Sequence, residues 1–233
     1  MPKVSLVKRE LVDLSKDAGR ALRELNLGGI ELEVELDLDR SGSMQDEYQS
    51  GLVQLVLDRV FAAVQKVDSD GVLPVTLFHF NTMAAPHLNA QNLDGYVRTQ
   101  LGRFDWGGTR YAPPLEHLAK KHALKGVFSK SPAEKAKLAI FITDGVNDDQ
   151  PATVAAMKAL SKTPVFVVFV GLDTDGRADF STLERLDDMT GRDFDNADYF
   201  RWDGNVTDQQ FYHNLFKELL KALSDMKRLG LLK

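Results

Sequence analysis

The sequence predicts an α/β fold, a doubly wound and mostly parallel central sheet flanked by helices. Two observations carry this. Short apolar or alternating runs recur along the 233 residues, separated by stretches with apolar side chains at helical spacing. Two of these runs, 138–143 and 164–170, are apolar throughout, as in strands covered on both faces. Strands that alternate with helices favour parallel pairing and right-handed crossovers.

Residues 1–29 read as an N-terminal extension. Leu6, Val7, Leu11, Val12 and Leu14 suit short strands, a hairpin or an extended arm packing on the body, and Asn26-Leu27-Gly28-Gly29 marks a turn. The main domain then spans 30–233. Residues 30–38 alternate: Ile30, Leu32, Val34, Leu36 and Leu38 face one way, Glu31, Glu33, Glu35 and Asp37 the other. A helix is expected over 46–67, from Leu52, Leu55, Val56, Val60, Ala63, Val64 and Val67, ending at Asp68-Ser69-Asp70-Gly71. Residues 74–80 form a second strand and 91–101 a short helix. Pro113-Pro114 opens a helix running to about Lys125, since proline suits a first turn. The strand 138–143 ends in Asp144-Gly145. Helix 150–162, strand 164–170, helix 179–190, an edge strand 199–202 and a closing helix 208–229 complete the chain.

Composition narrows the function. A net charge of −5 argues against a general nucleic-acid binder. There is no cysteine, which excludes disulfides, thiolate metal sites and cysteine nucleophiles. The first ten residues lack an apolar signal core, and no run approaches the roughly 18 apolar residues of a membrane span. The expectation is a soluble, cytoplasmic protein.

The most informative stretch is Asp39-Arg40-Ser41-Gly42-Ser43, at the end of the first strand. It delivers one carboxylate and two hydroxyls into a tight turn, all oxygen donors of the kind hard divalent cations prefer. Two later segments join it. Gly107-Gly108-Thr109 presents a hydroxyl from a loop where glycine permits close backbone approach. Thr143-Asp144-Gly145 places a carboxylate at the end of a buried strand. In doubly wound sheets, ligands bind at the carboxyl ends of strands, near the topological switch point. The candidate metal residues are therefore Asp39, Ser41, Ser43, Thr109 and Asp144.

This set resembles the metal-ion-dependent adhesion site of von Willebrand factor A (vWA) domains: Asp-x-Ser-x-Ser on the first strand's loop, a later Thr, and an Asp after the fourth strand. Asp39, Ser41, Ser43, Thr109 and Asp144 follow that order, and Asp-Arg-Ser-Gly-Ser-Met is close to the family's common form. The resemblance covers roughly residues 30–226. It implies a Rossmann-like vWA fold and a bound divalent cation, Mg²⁺ foremost, with Ca²⁺ or Mn²⁺ as alternatives. It also implies a protein partner that supplies an acidic side chain to the metal, and no catalysis. Val4-Ser5-Leu6-x-Lys8 and Val12-Asp13-Leu14-Ser15-Lys16 are similar to the opening strands of bacterial tellurium-resistance and stress-response proteins.

One departure is the acidic face of the first strand, which is usually apolar in such domains. Glu31, Glu33, Glu35 and Asp37 need charged partners, from the N-terminal arm for instance, or water. A competing enzymatic reading is a haloacid-dehalogenase-type, magnesium-dependent phosphatase. Asp37 would be its nucleophile, Asp39 its acid/base and Asp144 a metal ligand. The segment Ser-Gly-Ser-Met after Arg40 fits the adhesion-site pattern and not this one. Other polar residues read as structural. Asp148 and Asp149 suit caps of the following helix, Asp46 and Glu47 a helix start, and His79 local packing, while Trp106 suits either local packing or a place on the partner surface. Asp173, Asp175 and Asp179 suit a solvated loop.

Overall fold

The computed structural model describes residues 3–124, 131–174, 176 and 178–233, with side chains described from Glu10 onward. A helix, α1 (Lys3–Glu24), precedes the first strand, β1 (Leu32–Asp39). A 3-10 turn (Gly42–Met44) leads into α2 (Gln45–Ser50) and α3 (Leu52–Val67). Four short strands follow: β2 (Val72–Leu73), β3 (Val75–Phe78), β4 (Thr82–Ala84) and β5 (Leu88–Asn89). After a π-helical turn (Val97–Leu101) come α4 (Ala112–Lys121), β6 (Ala136–Thr143), α5 (Gln150–Leu160), β7 (Val165–Leu172) and α6 (Ser181–Asp187). The chain closes with β8 (Ala197–Trp202), α7 (Asp208–Phe216) and α8 (Leu219–Arg228).

The main sheet has the order β4-β3-β1-β6-β7-β8, parallel except for β4, while β2 and β5 form a separate antiparallel pair. The chain steps from β1 to β3 on one side and returns to β6 on the other. The topological switch point therefore lies between β1 and β6, where Asp39 and Asp144 end up side by side.

Each face of the sheet has its own core. Leu32, Val34, Leu36 and Leu38 of β1, with Ile140, Ile142, Val168 and Val170, join residues of α1, α3, α7 and α8. On the other face, Phe78, Phe141, Val167 and Phe169 meet Tyr111, Leu115, Met157 and Leu183. Each such Leu or Phe contributes roughly 1.5–3 kcal/mol by leaving water. β1 gives nothing apolar to the second face, because its acidic residues point there. Their partners come from β6 and α4, not from the N-terminal arm. Lys135 meets Glu31 at 2.9 Å, Lys137 meets Glu33, and Lys121 and His122 each meet Glu35 at 2.6 Å.

The structure corrects several sequence expectations. The strands expected within 1–29 are instead α1. Leu11, Leu14, Ala18, Ala21 and Leu22 step by three and four, and this stripe packs α1 on α3 and α7. Burial of that stripe prevails over the weak helix preference of Val4, Val7 and Val12. The helix expected over 46–67 breaks at Gly51, whose φ of +86° only glycine adopts readily. Residues 91–101 yield a turn and a π-helical segment. The end of the Pro113 helix placed at Lys125 lies outside the described residues, and α4 ends at Lys121. None of the described helices is long and apolar enough to cross a membrane.

Candidate metal centre

Asp39 is the last residue of β1 and is fully buried. Its Oδ1 accepts the Ser41 N–H at 2.7 Å, closing the turn that carries both serines. Its Oδ2 accepts the Thr143 hydroxyl at 2.6 Å. Thr143 Oγ1 also lies 2.9 Å from the Tyr111 hydroxyl, so Tyr111 donates to Thr143 and Thr143 to Asp39. The Tyr48 hydroxyl donates to the main-chain oxygen of Asp39 at 2.9 Å. The carboxylate is thus held from both neighbouring loops.

The serine hydroxyls stand 3.0 Å apart, with Ser41 buried and Ser43 exposed. Ser43 lies near enough to the Asp144 carboxyl to oppose its upward shift, and Asp144 Oδ1 accepts the Val146 N–H at 3.2 Å. The Thr109 loop is stitched to both. Gly42 N–H donates to Gly107 at 2.8 Å and Gly107 N–H to Arg40 at 3.2 Å. On the other side, Thr109 N–H donates to Asp148 Oδ2 at 3.0 Å, and Asp148 N–H returns to Thr109 at 2.8 Å. Such approach requires Gly107, since a Cβ there would lie 2.7 Å from His79 Cγ. Thr109 itself is buried.

Electrostatics mark the site as short of positive charge. Burial and then the neighbouring Asp144 push the Asp39 carboxyl up to about 7, against the opposing hydrogen bonds from Thr143 and Ser41. Burial also raises Asp144. Glu47 of α2 is buried and raised by the loss of water, and Asp144 adds to this. Glu47 Oε1 accepts from Thr174, while its Oε2 is buried with no hydrogen-bond partner among the described residues. The adjacent cation, Arg40, is committed elsewhere. It donates to the Phe104 carbonyl at 3.0 Å and stacks 3.5 Å from the Trp106 ring centre and 4.6 Å from that of Tyr48. No group of three His, Cys, Asp or Glu gathers as a ligand cluster among the described residues. A cation here would draw on hydroxyls as well as carboxylates. That donor set fits a hard divalent ion, which accepts neutral oxygen ligands and retains water.

Comparison with known proteins identifies the fold family. The vWA-TerF-like profile, the vWA found in the TerF C terminus, matches residues 31–232. The chain belongs to this vWA family. It is 27% identical over 228 residues to the uncharacterized protein YcbR of Bacillus subtilis strain 168, covering 95% of this chain and 90% of YcbR. Proximal thread matrix protein 1 from the mussel byssus aligns with a TM-score of 0.52 at 18% identity, over 87% of this chain; this chain spans 47% of that structure. Manganese-loaded TRAP protein of Plasmodium vivax aligns with a TM-score of 0.46 at 16% identity, over 86% of this chain and 73% of that one.

Within this vWA domain, hydrogen bonds link Asp39, Ser41 and Ser43, Asp144 lies close enough to raise the Asp39 carboxyl, and Thr109 joins through its main chain. Asp37 shares the face of β1 with Asp39, so strand alternation does not separate the two carboxylates. Their contacts do. Asp39 bonds to the site loops, whereas Asp37 makes no such bond. Asp37 is 2% exposed and pushed well above the usual carboxylate range by burial and by Glu35. Burial and the lack of any bond to the site loops set Asp37 apart from the carboxyls gathered there.

The sequence reading gave Thr143 no role, although its place beside Asp144 at a strand end was a signal. Asp149 holds the N-cap position of α5, as expected, and its Oδ1 accepts the Thr153 hydroxyl at 2.8 Å, but the same side chain has a second role. The Asp149 carboxylate accepts from Tyr111 N–H at 3.0 Å and Ala112 N–H at 3.2 Å, capping α4 and tying it to the Asp144 loop. Asp173 is buried and pairs with Arg201 at 2.8 Å, where a solvated loop was expected. Asp175 lies outside the described residues.

Proposed function

We propose that this vWA domain is a protein-interaction module and not a catalyst. It holds a divalent cation at Asp39, Ser41, Ser43, Thr109 and Asp144, and a partner completes the coordination with an Asp or Glu. The observation that carries this reading is the convergence of two buried carboxyls and three hydroxyl-bearing residues from three loops at the switch point, with Arg40 turned away. Few direct carboxylates leave the ion electrophilic and receptive to an incoming one. Mg²⁺ is the first candidate, with Mn²⁺ and Ca²⁺ sharing its oxygen preference.

The surroundings suit a docking face. Phe80, on the turn after β3, is 47% exposed and would meet a Cβ on Gly108; Trp106, on the Thr109 loop, and Val146, on the Asp144 loop, are 36% and 45% exposed. The TerF-like family supports a role in tellurium resistance or a related bacterial stress response.

Calorimetric titration of Mg²⁺, Mn²⁺ and Ca²⁺ into the wild type and a Ser41→Ala/Ser43→Ala variant tests the site. Saturable binding by the wild type, weakened at least tenfold in the variant, is expected; equal binding by both overturns the site. Capture of partners from tellurite-stressed cells, with and without chelator, tests the role of the ion. Recovery of the same proteins in both conditions overturns metal-mediated docking.

A further inference from the structure

A groove elsewhere on the molecule shares no residue with the cation site. Helix α1 falls outside the segment matched by the vWA family, yet it packs along α3 and α7. Between α1, α3 and the turn at Leu93-Asp94-Gly95 opens a groove of about 390 Å³. This falls in the range of roughly 300–1,000 Å³ usual for binding clefts.

The groove has an apolar lining and an acidic rim. Leu11, Leu14, Leu55 and Leu93 line it, and Leu55 stays 48% exposed in the middle of a helix whose other leucines are buried. Around them stand Glu10, Asp13, Asp58, Asp94 and Asp208, against one lining cation, Arg59. Arg59 is already engaged by Asp208 at 2.7 Å, and Lys16, from outside the groove, reaches Asp13 at 2.8 Å. Among the described residues, Glu10, Asp58 and Asp94 form no ion pair. Burial raises the Asp58 carboxyl, and both Glu10 and Asp94 add to this, so the three carboxylates share one field.

The wall opposite α1 is pre-organised. Gln54 of α3 donates to Asp58 and to the Leu93 carbonyl, each at 2.9 Å, and accepts the Val97 N–H at 3.1 Å. One side chain thereby fixes the 93–97 turn against α3. A partner entering this groove does not have to order its wall first.

We propose that this groove docks a basic amphipathic segment of a protein partner. An aliphatic side chain would sit among Leu11, Leu14, Leu55 and Leu93, while flanking Lys or Arg residues meet Glu10, Asp58 and Asp94. The charge surplus selects cationic partners and the leucines select amphipathic ones, as in helix-in-groove recognition.

Fluorescence anisotropy with a labelled Leu/Lys amphipathic peptide of about 14 residues, long enough to form a helix, and a matched Leu/Glu peptide tests the proposal on the full chain. Saturable binding of the Leu/Lys peptide alone is expected. Asp94→Lys should weaken it at least tenfold, and Asp193→Lys, the same charge change on an exposed turn elsewhere, should leave it unchanged. Amide shifts in the unmodified protein should concentrate on α1, α3 and residues 93–97, a readout that needs no variant to fold. Equal weakening by both substitutions, or shifts spread over the surface, would reduce the effect to non-specific attraction and overturn the proposal. Self-association abolished by Leu55→Glu would overturn it in favour of a second copy of this chain.

Discussion

Thr143 Oγ1 donates to Asp39 Oδ2 at 2.6 Å, joining the ends of two adjacent strands across 104 residues of sequence. The same hydroxyl receives the Tyr111 proton, so it serves as both donor and acceptor in the dry floor of the site. Thr143→Val keeps the shape and removes both bonds, together with the one Thr143 Oγ1 accepts from the Gly145 N–H at 3.3 Å. It leaves a buried carboxylate oxygen and a buried phenol short of a partner, at a cost of about 1–3 kcal/mol. Urea unfolding in chelator measures this. A change below about 0.5 kcal/mol, the usual scatter of neutral surface changes, would show that the bond contributes nothing net.

With the Asp39 carboxyl raised to about 7, stability and the affinity for the proposed cation should depend on pH in opposite directions. The folded state holds this proton more tightly than the unfolded chain, whose aspartates titrate near roughly 3.9. The contribution is complete below the unfolded value and is lost as pH rises through about 7, so in chelator this group lowers stability across that window. A cation favours the ionised form, so its apparent affinity should climb as pH approaches 7 and level off above. Thermal melts with chelator and with Mg²⁺, at pH 5 and 7.5, test both signs. Asp39→Asn should flatten the chelator series; an unchanged slope would assign it to another group.

Gly145 and Gly51 separate backbone strain from collision. Both have positive φ, +93° and +86°. A Cβ on Gly51 meets nothing within 4 Å, whereas one on Gly145 would lie 2.6 Å from the Asp179 carbonyl oxygen. Gly51→Ala should cost about 1–2 kcal/mol from conformation alone. Gly145→Ala should cost more and lower cation affinity by shifting Asp144. Denaturation midpoints rank the two, and equal costs would remove the collision argument.

Glu35 supports the acidic strand in a different way. Burial raises its carboxyl, but hydrogen bonds and charge from His122 and Lys121 outweigh this and hold it at about 2. Its stabilisation is present above the ordinary glutamate value and lost as pH falls toward 2. His122→Ala should destabilise the protein at pH 7 by about 1–3 kcal/mol and shrink the acid-induced loss between pH 4.5 and 2. A variant that loses stability equally at both ends would show only a packing role for His122.

The central strands were legible because β7 is buried and apolar from end to end, and β6 is so from Leu138 to Ile142. The oxygen-donor motif could be read because its residues sit at strand ends, where spacing survives folding. Three kinds of feature could not. The helical nature of α1 depends on its packing against α3 and α7. The break at Gly51 depends on one backbone angle. The reach of Asp149 to the start of α4 links residues almost forty positions apart, which local capping rules do not address. The acidic face of β1 lay between these cases: its alternation was plain, but its lysine and histidine partners come from distant elements.

The pairing of β1 with β6 also sets when the centre can exist during folding. Asp39 and Asp144 lie on opposite arms of a loop of about a hundred residues, whose closure is entropically slow compared with local helix formation. The donor set is therefore assembled only after the strands of the switch point have docked, and an ion cannot act as the seed for that event. On the proposed reading, cation uptake would be a signature of the finished fold. Followed in a refolding experiment, it would lag behind helix formation and coincide with closure of the sheet.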